Sequence, residues 1–310
     1  MKRHLSSLVL RTKHGVFVYL AITSALFCVV LPVRTSRTSR TARNQQESLD
    51  YIKNNNLQEL MSKPIINHHE FQYIHNPAYR CSERPVDVLF AVPSAPGNSW
   101  KRQKFRSIVF LDHLRTTGLN VSLLFFIGVS TNGAKNKTFQ STIDNESRHY
   151  NDIVQETYTD SFKTIRLKAV AILKWIQTFC SNVKYVIRVD DDTKFVINDL
   201  IEVVYEKGGN YSNFILGKPR AHSPVVRERH SMYYVSHREY PTPEEWPTFC
   251  PGGLLGYSWL TASFLYQAAL RLSPVWLEDV FITGICGKAL NVTHVSDERF
   301  TSIHCNCHCN

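Results

Sequence analysis

Residues 185–196 read YVIRVDDDTKFV, an apolar run that ends in three consecutive aspartates. A short apolar run of this length reads as a buried β-strand. Adjacent carboxylates raise one another's pKa unless a cation offsets them. At the end of a strand alternate side chains share a face. Asp190 and Asp192 are therefore expected to converge, with Asp191 pointing elsewhere. A hard divalent ion takes oxygen ligands and keeps positions open for phosphate. The competing reading is a solvated acidic turn, or a helix start capped by Asp192; the place of the triplet at the end of an apolar strand favours the ion.

Working outward, the chain alternates strand and helix patterns. VDVLFAV (86–92) is a buried strand that stops at Pro93-Ser94-Ala95-Pro96-Gly97, and Asn98 or Ser99 is a good N-cap for the helix that follows. VSLLFFIG (121–128) and DIVQET (152–157) are further strands. Phe162, Ile165, Ala169, Ile172, Ile176 and Phe179 keep the spacing of one apolar helix face, which predicts a helix from about Asp160. A last helix is expected over Glu278 to Leu290. The alternation predicts an α/β fold with a mostly parallel sheet, whose ligands gather beyond the carboxyl ends of strands. Residues 217–260 are rich in Pro, Gly and aromatics, which suits a loop-built acceptor-binding half.

Composition sets the context. The 310 residues are 43 % hydrophobic and 20 % charged, with a net charge of +10. Eight of those ten charges are Lys2, Arg3, Arg11, Lys13, Arg34, Arg37, Arg40 and Arg43, so the rest of the chain is nearly balanced and no nucleic-acid groove is expected. The basic residues flank VFVYLAITSALFCVVLPV (16–33), uncharged and long enough to cross a bilayer. Thr23-Ser24-Ala25 resembles a cleavage site, but the apolar run continues through Leu31, which favours an uncleaved anchor. Asn120, Asn136, Asn145, Asn210 and Asn291 each open an N-glycan acceptor triplet downstream of it. Cys81, Cys180, Cys250, Cys286, Cys305, Cys307 and Cys309 also lie downstream; seven is odd, which leaves at least one free or joined to another chain in a disulfide-linked oligomer. These features predict a cytoplasmic tail (1–15), a transmembrane signal anchor (16–33), a polar luminal stem (34–84) and a catalytic domain (85–310), in a single-pass type II arrangement.

Further motifs stand around the triplet. WKRQKFR (100–106) offers Arg102, Lys104 and Arg106 on an early helix, fit for phosphate or for a plain solvated face. WLEDVF (276–281) places Glu278 and Asp279 at a helix start, which favours acids by itself, or offers a general base. Together with SAPGNSWKRQKFR, ESRHYNDIVQETYTDSFKTIRLKAVAILKW, VVRERHSMYYVSHREYP, WPTFCPGGLLGYS and EDVFITGIC, these stretches resemble the β-1,3-glycosyltransferases, including β-1,3-galactosyltransferases and β-1,3-N-acetylglucosaminyltransferases, from about Val86 to Leu290. The resemblance implies a GT-A-like nucleotide-sugar sheet merged with the acceptor half, a UDP-sugar donor, a glycan acceptor, manganese (Mn2+) and a Golgi membrane. Carried onto this chain, it makes Asp192 the leading metal ligand. It sets Asp190 and Asp191 around the ribose and the ion, with His294 or His304 completing the shell. Asp279 becomes the base with Glu278 beside it. Arg102 and Arg106 face the nucleotide, and Trp246 with Gly252 and Gly253 shapes the sugar pocket. Best matched to these features is inverting transfer of a hexose or N-acetylhexosamine, galactose above others, to form a β-1,3 linkage.

Three rivals were weighed. An inactive chaperone or glycan-binding module on the same fold would be expected to have lost the triplet, which is present. A calcium-dependent lectin needs more oxygen ligands around it than Asn198 and Asp199. A zinc site in HCNCHCN (304–310) has ligands too closely spaced for a tetrahedral ion, and disulfide pairing with Cys250 or Cys286 is the simpler role.

Overall fold

The structure, a computed structural model, describes residues 36–54, 57–113, 118–130, 133–241, 244–300 and 303–304. The expected anchor (16–33) and the cysteines of the 304–310 tail lie outside these residues. No helix among the described residues is long and apolar enough to cross a membrane.

In chain order the helices are α1 (Ser36–Asn54), α2 (Gln58–Ser62), α3 (Tyr79–Ser82), α4 (Ser99–His113), α5 (Gly133–Tyr150), α6 (Ile165–Phe179), α7 (Ile197–Gly208), α8 (Trp259–Ala269) and α9 (Gly287–Ala289). The strands are β1 (Tyr73–His75), β2 (Val88–Pro93), β3 (Val121–Ser130), β4 (Ile153–Asp160), β5 (Tyr185–Val189), β6 (Thr193–Lys194), β7 (Phe214–Leu216), β8 (Leu254–Ser258), β9 (Thr293–Val295) and β10 (Ile303–His304). Eight strands form one sheet in the order β1-β4-β3-β2-β5-β8-β7-β9, and β10 pairs with β6 in a small second sheet. β4, β3, β2 and β5 run parallel; β1 and β8 run against their neighbours. This is the mixed α/β sheet that the alternation predicted.

The sheet is buried on both faces because its central strands carry apolar side chains in both directions. On β2, Leu89 and Ala91 join a core with Ile172, Leu173 and Ile176 of α6 and Phe264 and Leu265 of α8. Val88, Phe90 and Val92 join the opposite core with Phe105 of α4 and Leu200, Val203 and Val204 of α7. The helix expected from Asp160 begins at Ile165 instead. Asp160 stays in β4, and Ser161 and Thr164 form a reciprocal cap around a 3-10 turn, Phe162–Thr164, that leaves Phe162 exposed. The last helix also differs: Val280–Cys286 is wound as a wider π-helix before α9.

Residues expected to form a coreless stem are part of the body. α1 lies across the end of the sheet where β2 and β5 begin. Arg40 donates to the Val86 carbonyl at 3.0 Å and pairs with Asp87 at 3.0 Å, and Asn44 donates to the Ser181 carbonyl at 2.9 Å. Leu57 and Leu60 are buried, and β1 adds an edge strand to β4. The compact body thus starts well before Pro85. Cys81 and Cys180 form a disulfide across 99 residues of sequence, while Cys250 and Cys286 are buried and, among the described residues, free. Closing so long a loop restricts the unfolded chain, so Cys81→Ser is expected to cost about 2–5 kcal/mol, read as a lowered midpoint in denaturant unfolding.

Candidate active site

The carboxyl ends of parallel β2 and β5 lie side by side, so the loop after Pro93 meets the turn after Val189. Antiparallel β8 brings Leu254 opposite Val189, which sets Gly253 beside Asp190. The Gly253 carbonyl accepts the Asp190 N–H at 3.0 Å and the Thr193 hydroxyl at 3.1 Å. Thr193 N–H in turn donates to the Asp190 carbonyl at 3.1 Å, closing a tight turn over Asp191 and Asp192.

That turn ends the strand alternation at Asp190, and it redistributes the three carboxylates. Asp190 follows Arg188 by two residues, shares its side of the strand and pairs with it at 2.9 Å. Asp191 is nearly buried; it accepts from the Ser94 hydroxyl at 2.7 Å and the Asn98 amide at 2.9 Å. The Lys101 ammonium bridges Asp191 at 3.2 Å and Asp192 at 2.9 Å. Burial works to lower the Lys101 pKa, but Asp192 and Asp191 outweigh it and hold the amine more firmly charged. The expected convergence of Asp190 with Asp192 is therefore corrected. It is Asp191 and Asp192 that share a cation, and Asp190 faces inward to Arg188. Asp192 keeps a 57 % exposed side chain.

The inward half of the site is a buried charge cluster. Arg188 pairs with Glu278 at 2.7 Å as well as with Asp190. Burial raises the Glu278 carboxyl to about 7, with Arg188 opposing, and burial raises Asp190 and Asp279 too. Asp279 accepts the Val280 N–H at 2.8 Å and so caps the π-helix. Arg188, Glu278 and Asp279 border a cavity of ≈ 20 Å³, room for about one water. A larger cavity of ≈ 520 Å³ opens on the other side, lined by Asp191, Asp192, Lys101, Lys104, Trp100, Phe105 and Phe195.

Gly252 is needed where it stands. A Cβ there would meet Glu278 Oε1 at 2.3 Å and Arg188 Nη1 at 3.2 Å. That oxygen is the one paired with Arg188. Gly252→Ala is expected to push Glu278 off Arg188, destabilise by about 1–3 kcal/mol and lower activity, checked by thermal melting beside a rate assay.

Other expected site residues are placed differently. Arg102 is fully buried and pairs with Glu146 at 2.6 Å; Arg106 pairs with Glu146 at 2.7 Å and Asp152 at 2.7 Å. Neither lines the cleft: both are buried and tie α4 to Glu146 of α5 and to Asp152 just before β4. Lys101, one residue earlier, takes the outward role. Trp246 is buried against Tyr240 at 4.5 Å, away from the charge cluster. His294 donates from Nε2 to the Thr283 carbonyl at 2.8 Å, and burial lowers its pKa. His304 pairs through its backbone with Thr193, next to Asp192. Of the two histidines, His304 is thus the one the chain brings to the aspartate turn. Among the described residues no group of three or more His, Cys, Asp or Glu side chains is arranged to hold a metal ion by itself.

The carboxylate turn thus lies at the carboxyl ends of the parallel strands, where open α/β sheets carry their ligands. The galactosyltransferase family model matches residues 97–298, and the chain belongs to that family. It is similar to lactosylceramide 1,3-N-acetyl-beta-D-glucosaminyltransferase B of Xenopus laevis, 27 % identical over 72 % of this chain and 59 % of the relative. It is likewise similar to human beta-1,3-galactosyltransferase 2, 29 % identical over 74 % and 53 %. The chain thus spans between half and three-fifths of the length of these relatives. Among solved structures, apo mouse xyloside xylosyltransferase 1 aligns at TM-score 0.33 and 15 % identity over 68 % of this chain and 85 % of that one, a likeness too low to bear on function.

Proposed function

We propose that this protein is an inverting, metal-dependent β-1,3-glycosyltransferase that moves a hexose or N-acetylhexosamine, galactose foremost, from a UDP-sugar to a glycan hydroxyl. The observation that carries the reading is the aspartate turn 190–192, which has a different feature on each side: Asp191 and Asp192 face one, and Asp190 pairs with Arg188 of the other. On one side is a cavity with aromatic walls for a base and lysines for phosphate. On the other is a buried cluster ending in Asp279. The relatives, a beta-1,3-galactosyltransferase and a 1,3-N-acetyl-beta-D-glucosaminyltransferase, support the linkage.

The residues present fit a divalent ion. Asp191 and Asp192 converge on one cation, the Lys101 ammonium, so their hard carboxylate oxygens lie close enough to share a positive charge, and Asp192 is exposed enough to take another. One or two carboxylates plus substrate phosphates are the usual ligands of such an ion. Asp192, the exposed member, is the proposed ligand, with His304 the nearer histidine, and manganese the proposed ion. The bound ion would neutralise the diphosphate and stabilise departing UDP. Asp279 takes the proton from the acceptor hydroxyl, whose oxygen attacks the anomeric carbon from the face opposite UDP. The α-linked donor becomes a β-linked product with no covalent enzyme intermediate. The raised pKa of Asp279 makes it a stronger base once ionised. Arg188 holds Glu278 beside it.

The further reading places the chain in the Golgi membrane with its body luminal, supported by the apolar segment 16–33, the N-glycan triplets and the Cys81–Cys180 disulfide. The test of the function is to incubate the full chain with UDP-galactose, UDP-N-acetylglucosamine or UDP-glucose and β-galactoside or N-acetylhexosamine acceptors. A product whose NMR spectrum shows a new β-1,3 linkage from one donor supports it. A retained α configuration, or no product from any pair, sinks it.

A further inference from the structure

The first turn of α6 and the 3-10 turn before it contain Lys163 and Arg166 and no acid. Cations at a helix N-terminus face the positive end of the helix dipole and are disfavoured there. Among the described residues neither forms an ion pair that would offset this. Lys163 Nζ lies 3.6 Å from the centre of the Trp276 ring and reaches the Met232 carbonyl at 3.5 Å. The Arg166 guanidinium sits 5.7 Å from the Phe281 ring, and burial pulls its pKa down. Both line a hollow of ≈ 160 Å³ together with Trp276 and Glu239. Glu239 Oε1 accepts the Trp276 N–H at 2.8 Å, so the hollow carries two positive charges against one negative.

The rim of this hollow is apolar and exposed. Phe162, 49 % exposed, packs edge-on to Trp276 at 5.4 Å, and Met232 and Tyr233 are exposed beside it. Such surfaces hold the C–H faces of sugar rings, with a few polar groups fixing orientation. The place is telling. Trp276 precedes Asp279 by three residues, and Arg166 covers Phe281 just after it. The hollow shares no lining residue with the cavity along α4 proposed for the donor.

We infer that the acceptor is an acidic saccharide whose carboxylate or sulfate sits between Lys163 and Arg166, with its ring against Phe162 and Trp276. Arginine meets such groups with paired N–H donors, and among the described residues neither cation has a salt-bridge partner: Lys163 is held by the Trp276 ring and the Met232 carbonyl, and only Glu239 across the hollow offsets Arg166. The inference rests on the glycosyltransferase reading and names its acceptor class.

The test compares three matched disaccharide acceptors, one ending in a uronate, one bearing a sulfate ester and one neutral, on the full chain with manganese and the active donor. The expected result is a kcat/KM at least tenfold higher for one acidic acceptor, carried by KM. Which acid wins separates uronate from sulfate. In Lys163→Gln and Arg166→Gln, folded by thermal melting, that ratio should fall towards one. Equal use of acidic and neutral acceptors, or an unchanged ratio in both variants, overturns the inference while leaving the transferase reading standing. Should no donor be turned over, calorimetry with the same saccharides, UDP and manganese decides. Salt-sensitive binding of an acidic acceptor, lost in Arg166→Gln, supports it, and no difference between acidic and neutral acceptors overturns it.

Discussion

Asp279→Asn is expected to lower the rate of sugar transfer by about 10²–10⁴-fold, the usual contribution of a positioned general base. The substitution isolates the proton-accepting role. Asparagine keeps the shape of aspartate and is an equally good cap, so the bond from the Val280 N–H and the π-helix it starts should survive. Donor affinity, read by calorimetry with UDP and manganese, should stay close to wild type, because Asp279 lines the small inner cavity and not the larger one along α4. The loss should therefore fall on kcat. In the wild-type protein the rate should rise with pH as Asp279 ionises, over a range shifted upward from that of a free aspartate by its burial. A variant that transfers at the wild-type rate would remove Asp279 as the base.

Arg188→Met is expected to be the most destabilising single change at the site. Its guanidinium, 5 % exposed, is the partner of both Asp190 and Glu278. Removing one member of a buried ion pair leaves an uncompensated charge and costs about 3–5 kcal/mol. For a chain of this size the melting temperature should fall on the order of 10 °C. The loss should depend on pH. Glu278 already titrates near about 7 in the folded protein because burial disfavours its charge, with Arg188 holding it down. Without Arg188 its folded pKa moves further above the unfolded value, so the folded state binds more protons than the unfolded state between the two. Stability is then retained at low pH and lost as pH rises through the folded value. The deficit of Arg188→Met should be small near pH 5 and deepest above pH 7, measured as melting temperatures across that range. An equal deficit at both ends would mean that Arg188 contributes packing and not charge.

Much of this site could be read before any coordinates. The apolar runs around Val88, Leu123 and Ile187 are buried strands because short continuous apolar stretches have nowhere else to go, and the aspartates sit at the carboxyl end of one of them. Their division was not legible. It depends on a backbone turn clamped by Gly253, 60 residues away in sequence from Thr193. The direction of α4 was not legible either. Phe105 follows Lys101 by four residues and Arg102 by three, so helical spacing sets it between a cleft-facing lysine and a buried arginine; Arg102 and Arg106 turn inward because Glu146 and Asp152, more than forty residues on, meet them there. α5 escaped notice because it has little apolar stripe: Ile143 is buried, but the helix is held chiefly by Glu146 on Arg102 and Arg106. The same holds for α1, whose polar sequence docks through Arg40 and Asn44 onto backbone carbonyls. Helices bound by polar contacts to distant backbone leave no periodic trace for a pattern to find.

The most direct measurement is UDP release by the full chain with its preferred donor and acceptor, titrated with manganese after EDTA treatment, in wild type and Asp192→Asn. The expected result is release that is absent in EDTA, saturates with manganese in the wild type, and in Asp192→Asn needs far more manganese or fails. Metal-independent release at the wild-type rate in both proteins would contradict the proposal that the aspartate turn holds a catalytic ion.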